Sequence, residues 1–152
     1  MTINTKNFGE IQINTEDTIN FAEGLPGFHE DKRFLVLFQE PEGDAPNPIS
    51  FLQSIDNGEL CFVLVDMSNF YPEYISSVHP TVQGEGFDET TIIYNIATVF
   101  EDMADTTVNL KAPVLIDYEK KQGKQIILQG DEFPIRVKLF QLTEESGRDE
   151  KC

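Results

Sequence analysis

His29 and His79 are the chain's two histidines, and neither has a Cys or a second His at ligand spacing, so a tetrahedral zinc set has no support. Calcium would need oxygens at alternate positions around a turn glycine, which Glu101-Asp102-Met103-Ala104-Asp105 does not supply. Gly84-Glu85-Gly86 puts a carboxylate where a phosphate-cradling loop needs bare backbone N–H groups. No serine stands in a G-x-S-x-G elbow that would expose it as a nucleophile. The neighbouring carboxylates Asp88-Glu89 and Glu101-Asp102 could run acid–base chemistry only with a burial-shifted pKa. With 27 acidic side chains, such neighbours are expected from composition alone. The residue types therefore predict no catalytic residue, no metal and no cofactor.

What they do offer is binding. Phe70, Tyr71 and Tyr74 fall within five residues, interrupted by Pro72 and Glu73. Aromatics at that density can be core. They can also form an exposed aromatic–acidic ridge, since large aromatics dominate the buried centres of interfaces while carboxylates tolerate the rim. Phe70, Tyr71, Glu73 and Tyr74 are the candidate partner-binding residues.

The chain that carries this cluster has 152 residues, with 27 acidic against 11 basic side chains and a formal charge of −16. Phosphate contacts need clustered Lys and Arg, so direct binding to nucleic acid or to an anionic membrane is disfavoured, and a basic protein surface is easier to accommodate. A hydrophobic fraction of 39%, with twelve Phe and four Tyr, is enough to build a core and argues against a disordered chain. One domain is expected at this length, over residues 1–142, with the polar residues 143–152 as a frayed tail. Cys61 lies in an apolar run and Cys152 in a charged tail, so no disulfide framework is expected and a reducing cytosol is the natural compartment. The first twenty residues lack the continuous apolar stretch of a secretory signal. The longest apolar run, Leu60–Val65, has six residues against the roughly 20 that span a bilayer. The expectation is a soluble cytoplasmic protein.

Short alternating or apolar runs separated by turn residues predict strands at 10–13, 18–21, 34–39, 50–55, 60–65, 90–100, 114–118, 125–129 and 135–142. Phe, Val, Ile and Thr dominate them, the types that suit a pleated, half-buried surface. Residues 90–100 also fit a helical stripe through Ile93, Ile96, Ala97 and Phe100, but their β-branched density favours a strand. The sole helical signal is one turn at Phe70–Ile75 with Pro72 near its start. The residues from Ser76 to Glu89 read as irregular, and the Pro-rich 40–48 as a surface loop.

Two turns carry more information. Asn57-Gly58 predicts a type I′ hairpin that sets Ile55 opposite Leu60, Gln53 opposite Phe62 and Phe51 opposite Leu64. Leu25-Pro26-Gly27-Phe28 has Pro second and Gly third, as a type II turn requires. Gln122-Gly123 reads as a further hairpin tip.

In order along the chain, Thr5-Lys6-Asn7-Phe8-Gly9-Glu10-Ile11, Glu23-Gly24-Leu25-Pro26-Gly27-Phe28, Phe51-Leu52-Gln53-Ser54, Phe70-Tyr71-Pro72-Glu73-Tyr74 and Thr107-Val108-Asn109-Leu110-Lys111-Ala112-Pro113 resemble the flagellar assembly factor family usually called FliW. The resemblance covers nearly all of residues 1–142, and Gly24–Phe28 with Asn109–Pro113 is its most specific part. Asp117 departs from it, standing where the family commonly has Asn. The motif residues Gly24, Leu25, Pro26, Gly27, Phe28, Gln53, Ser54, Asn109, Leu110, Ala112 and Pro113 are assigned to architecture, because turn and packing chemistry accounts for them without a ligand.

The resemblance implies an all-β fold, a compact antiparallel β-barrel-like single domain with at most a short helical turn. It implies a cytoplasmic protein that binds flagellin, and a monomer is expected. It also implies that the free protein binds the carbon storage regulator (CsrA type), an RNA-binding repressor of flagellin translation, and relieves that repression. Two other readings stay open on the residues alone: a small-ligand-binding β-barrel, and an enzyme using two of the many carboxylates.

Overall fold

The computed structural model describes residues 1–142 apart from 42, 44–46 and 69; the expected tail at 143–152 lies outside the described residues. The strands are β1 (Thr2–Thr5), β2 (Gly9–Gln12), β3 (Ile19–Asn20), β4 (Arg33–Phe38), β5 (Ile49–Ser54), β6 (Cys61–Asp66), β7 (Ile92–Thr98), β8 (Thr107–Val108), β9 (Val114–Asp117), β10 (Gln122–Gln125) and β11 (Val137–Lys138). The helix α1 (Pro72–Gly84) lies between β6 and β7. β1 and β2 form a separate hairpin, while β7-β6-β5-β4-β3-β10-β9 run edge to edge and close where β9 pairs with β7. The ring is antiparallel except at β3–β10, a parallel seam with the single Cα pair Asn20↔Gln122. The barrel-like expectation is met.

Alternation along the strands divides the apolar residues between two cores. Ile19, Phe21, Leu25, Phe34, Leu52, Leu64, Tyr94, Val114 and Ile116 fill the barrel. Phe21 and Phe34 meet edge to face there, with ring centroids 5.1 Å apart. Residues of the opposite parity, among them Val65, Ile93, Ala97 and Leu115, pack outside the barrel with the inner face of α1 and with Leu128 and Leu139. Gly123 faces the barrel interior, where an added Cβ would lie 2.3 Å from the Phe21 ring. Glycine is there to admit the phenylalanine.

Several expectations need correction. The hairpin register is shifted by one residue, with Gln53 opposite Cys61 and Phe51 opposite Val63. Neither Asn57 nor Gly58 has positive φ, so the turn is not type I′. A wider loop forms because the Gln53 amide, fully buried, donates to the carbonyls of Ser54, Gly58 and Leu60 at 3.0–3.3 Å. Gly58 is small for a different reason: its Cβ position is 1.9 Å from the Asn4 carbonyl of the first hairpin, to which Lys6 N–H→Gly58 O at 3.0 Å also binds it. The Leu25–Phe28 turn does form as expected, with Gly27 at φ +84° and Phe28 N–H donating to Leu25 O at 2.7 Å.

The irregular segment expected at Ser76–Glu89 is mostly helix. Pro72 occupies the first helical position, and Tyr74, Val78 and Val82, four apart, form the buried face. Pro80 lies on the exposed side inside the helix, where its missing N–H gives up one bond. A Schellman stop ends the element: Gly86 N–H reaches Gln83 O at 3.0 Å, Phe87 N–H reaches Val82 O at 3.3 Å, and Gly86 has φ +88°.

Toward the carboxyl end, Gln122 and Gly123 belong to β10, and the tip of that hairpin is 118–121 with Lys121 at φ +56°. Of the strand expected at 135–142, only Val137–Lys138 forms, and 139–142 are helical.

Candidate functional site

The four aromatic–acidic candidates do not form one surface. Tyr74 is 1% exposed. Its hydroxyl donates to Leu110 O at 2.6 Å and accepts from Asn95 Nδ2 at 2.9 Å, and burial pushes its pKa up to about 12. The expectation that Tyr74 meets a partner is corrected: the helix period carries its ring onto the barrel wall. Tyr71, half-buried, stacks on Tyr74 with centroids 5.8 Å apart and packs against the outer core. Glu73 is exposed in the first turn of α1, where a carboxylate complements the helix dipole. Phe70 lines an open cavity.

That cavity is a groove of about 740 Å³ across the outer face of the barrel. Ile49 and Phe51 of β5, Val63 of β6 and Ala97 of β7 contribute to its lining. Val99 and Met103 line it from the turn after β7, Leu139 and Phe140 from the helical residues 139–142, and Phe70 from the approach to α1. Val99, Met103 and Phe140 are 48%, 55% and 41% exposed, a concentration of wet apolar surface of the kind that marks interaction sites. Thr106, at 2% exposure, also lines it, and its hydroxyl has no hydrogen-bond partner among the described residues.

Carboxylates adjoin the groove along the chain. Glu40 follows the lining Gln39. Glu101 and Asp102 precede the lining Met103, and Asp102 caps a 3-10 turn at Met103–Asp105 by accepting from Ala104 N–H at 3.0 Å. Lys138 is 3.6 Å from Asp105.

The two motifs assigned to architecture form hydrogen-bond hubs. Asn109 Oδ1 accepts from Lys111 N–H at 3.0 Å and Ala112 N–H at 3.1 Å, and Asn109 O accepts from Asn95 Nδ2 at 2.8 Å. Leu110 N–H donates to Pro134 O at 3.1 Å, while Pro113 O accepts from Ile126 N–H at 3.0 Å. The Ser54 hydroxyl accepts from Asn57 N–H at 3.0 Å. Asp117 Oδ1 accepts from Glu119 and Lys120 N–H groups, each at 3.0 Å, a role that an Asn oxygen would fill equally.

Beyond bonding, Pro26, Asn109, Lys111 and Ala112 converge on a second, smaller concavity of about 400 Å³, together with Ile127 and Ile135, each 61% exposed. Neither concavity was visible in the sequence. The available signal was the run Val99-Phe100 continuing apolar past the end of a strand into acidic Glu101-Asp102. Among the described residues no group of three or more His, Cys, Asp or Glu is placed to hold a metal, and no helix is long and apolar enough to cross a membrane.

Known proteins align with this geometry over nearly its whole length. The family profile described as FliW protein matches residues 2–139. The flagellar assembly factor FliW of Caldanaerobacter subterraneus subsp. tengcongensis is 40% identical over 144 residues, covering 93% of this chain and 94% of that protein. The protein of the same name from Thermoanaerobacter pseudethanolicus is 37% identical at the same coverage. A solved structure titled crystal structure of the flagellar assembly factor FliW superposes with a TM-score of 0.78 at 34% identity, covering 91% of this chain and 96% of that one. The chain belongs to the FliW family of flagellar assembly factors.

Proposed function

We propose that this protein is a non-catalytic cytoplasmic binding factor that holds flagellin and, when flagellin is gone, takes up the carbon storage regulator and relieves its repression of flagellin translation. The observation carrying this reading is the exposed apolar groove on a chain of charge −16. Apolar surface supplies affinity for a protein, and the charge favours a basic one, as an RNA-binding repressor must be.

The charge assists in displacing RNA but does not suffice. At ~10 Å in water one carboxylate–phosphate pair costs about 0.4 kcal/mol, of which physiological salt leaves roughly a third. A tenfold loss of RNA affinity needs about 1.4 kcal/mol, so on the order of ten such pairs must act together. Steric or conformational coupling through the regulator therefore contributes the larger share.

Titrating purified regulator into this protein by calorimetry, with and without purified flagellin, tests the reading. Binding that flagellin suppresses is expected. Absence of heat with either protein refutes it.

A further inference from the structure

Resting on that reading, we infer that Met103 is a modification site: oxidation of its thioether by a hydroperoxide turns this part of the groove polar and weakens the hold on the regulator. The chain has three methionines, at 1, 67 and 103. Met67 is 0% exposed and packs in the outer core, out of an oxidant's reach. Met1 is 56% exposed but does not line the groove. Met103 is 55% exposed and belongs to the groove lining, with Phe70, Val99 and Phe140.

The turn that presents Met103 is pinned. Asp102 Oδ1 accepts from Ala104 N–H at 3.0 Å, and Met103 O accepts from Thr106 N–H at 3.1 Å. Thr106 O accepts in turn from Leu139 N–H at 3.0 Å, and Asp105 lies 3.6 Å from Lys138 of β11. A backbone held in this way keeps the oxidised side chain where the regulator must meet it.

The chemistry is an oxygen-atom transfer. The sulfur lone pair attacks one oxygen of hydrogen peroxide, the O–O bond breaks, and the departing hydroxide takes up the remaining proton to leave as water. Sulfur loses two electrons and the peroxide gains them. The product sulfoxide carries an acceptor oxygen that an apolar partner surface would bury without a donor. Cys61 competes poorly for the oxidant, because it is half-buried and burial pushes its thiol pKa up, leaving little reactive thiolate. A neutral hydroperoxide also reaches a chain of charge −16 that would repel an anionic oxidant. Methionine sulfoxide reductases reverse the step, so the site is a switch.

The test treats the purified intact chain with hydrogen peroxide, removes the oxidant with catalase and reduces the cysteines with dithiothreitol, which leaves sulfoxides in place. Peptide mass spectrometry should find the sulfoxide at Met1 and Met103 and not at Met67. Calorimetry against untreated regulator should then show binding weakened roughly tenfold or more, the scale set by burying one unpaired polar group. Treatment with the two epimer-specific methionine sulfoxide reductases should restore it. Met103→Leu keeps the apolar volume without the sulfur, and should bind like the parent both before and after peroxide. Met103→Gln, polar at similar length, should bind weakly with no peroxide at all.

If the untreated chain binds no regulator, the functional reading fails and the switch fails with it. If it binds, and a chain fully oxidised at Met103 binds equally well, the reading stands and this inference is overturned. Weakening that persists in Met103→Leu would place the sensitive residue elsewhere and overturn it too. So would a Met103 that resists peroxide as Met67 does.

Discussion

Replacing Tyr74 with phenylalanine removes one oxygen atom and the two hydrogen bonds it makes to Leu110 O and Asn95 Nδ2. Asn95 Nδ2 retains Asn109 O at 2.8 Å, so the loss falls mainly on the buried Leu110 carbonyl. Leaving a buried polar group without its partner costs about 1–3 kcal/mol. For a chain of this size that lowers the thermal midpoint by roughly 2–4 °C per kcal/mol, or on the order of 4–8 °C for a cost of ~2 kcal/mol.

The same residue sets an alkaline signature. Burial raises its pKa from 10 to about 12, so the folded state holds the proton after the unfolded state has released it. The stabilisation is complete below pH 10 and is lost as pH rises from 10 through about 12, a difference on the order of 3 kcal/mol. Phenylalanine has no proton to lose. The stability curves of the two proteins, measured by urea unfolding from pH 7 to 12, should therefore stand apart at neutrality and converge toward the alkaline end. Burial also raises the pKa of Tyr94 and Tyr118 in both proteins, so both curves fall and only their separation is diagnostic. A Tyr74→Phe midpoint within about 1 °C of the parent at pH 7, or curves that stay parallel above pH 10, would refute the assignment of this hydroxyl to the barrel wall.

Gly123→Ala should destabilise by about 1–3 kcal/mol through overpacking against the Phe21 ring. Combining it with Phe21→Leu should cost less than the two changes summed, and simple additivity in a double-mutant cycle would show that the ring and the glycine do not meet. Asp117→Asn should change stability by less than about 0.5 kcal/mol because Oδ1 is kept, whereas Asp117→Ala should lose about 1–3 kcal/mol with its two turn hydrogen bonds. Equal losses in a urea titration would mean that the charge, and not the acceptor, matters.

Much of the barrel was legible. β4, β5, β6 and β7 are short, nearly continuous runs rich in Phe, Leu, Val and Ile, and turn residues bound them. The register of β5 against β6 was not legible, because it is set by the Gln53 side chain gripping three carbonyls and by the first hairpin pressing on Gly58. Both are tertiary contacts that a dipeptide turn preference cannot anticipate. The helix α1 was hidden by Pro80 and by polar Ser76, Ser77 and Thr81, while its evidence, Tyr74, Val78 and Val82, is only three residues long. Tyr74 was mistaken for surface for the same reason: its role depends on a helix that carries it inward. The groove was illegible because its lining comes from separate segments between Gln39 and Phe140 that meet only when the ring closes.

The meeting of Asn20 with Gln122 also fixes when the molecule can be finished. At roughly 5–20 residues per second of synthesis, on the order of 5–20 s separate their appearance on the ribosome. Through that interval β3 lacks one neighbour, and Phe21 and Phe34 line an unclosed sheet. A nascent chain in this state offers a bare strand edge to chaperones and to other nascent chains alike. Slowing translation ahead of β10 should accordingly lower the soluble yield of this protein more than an equal pause after it.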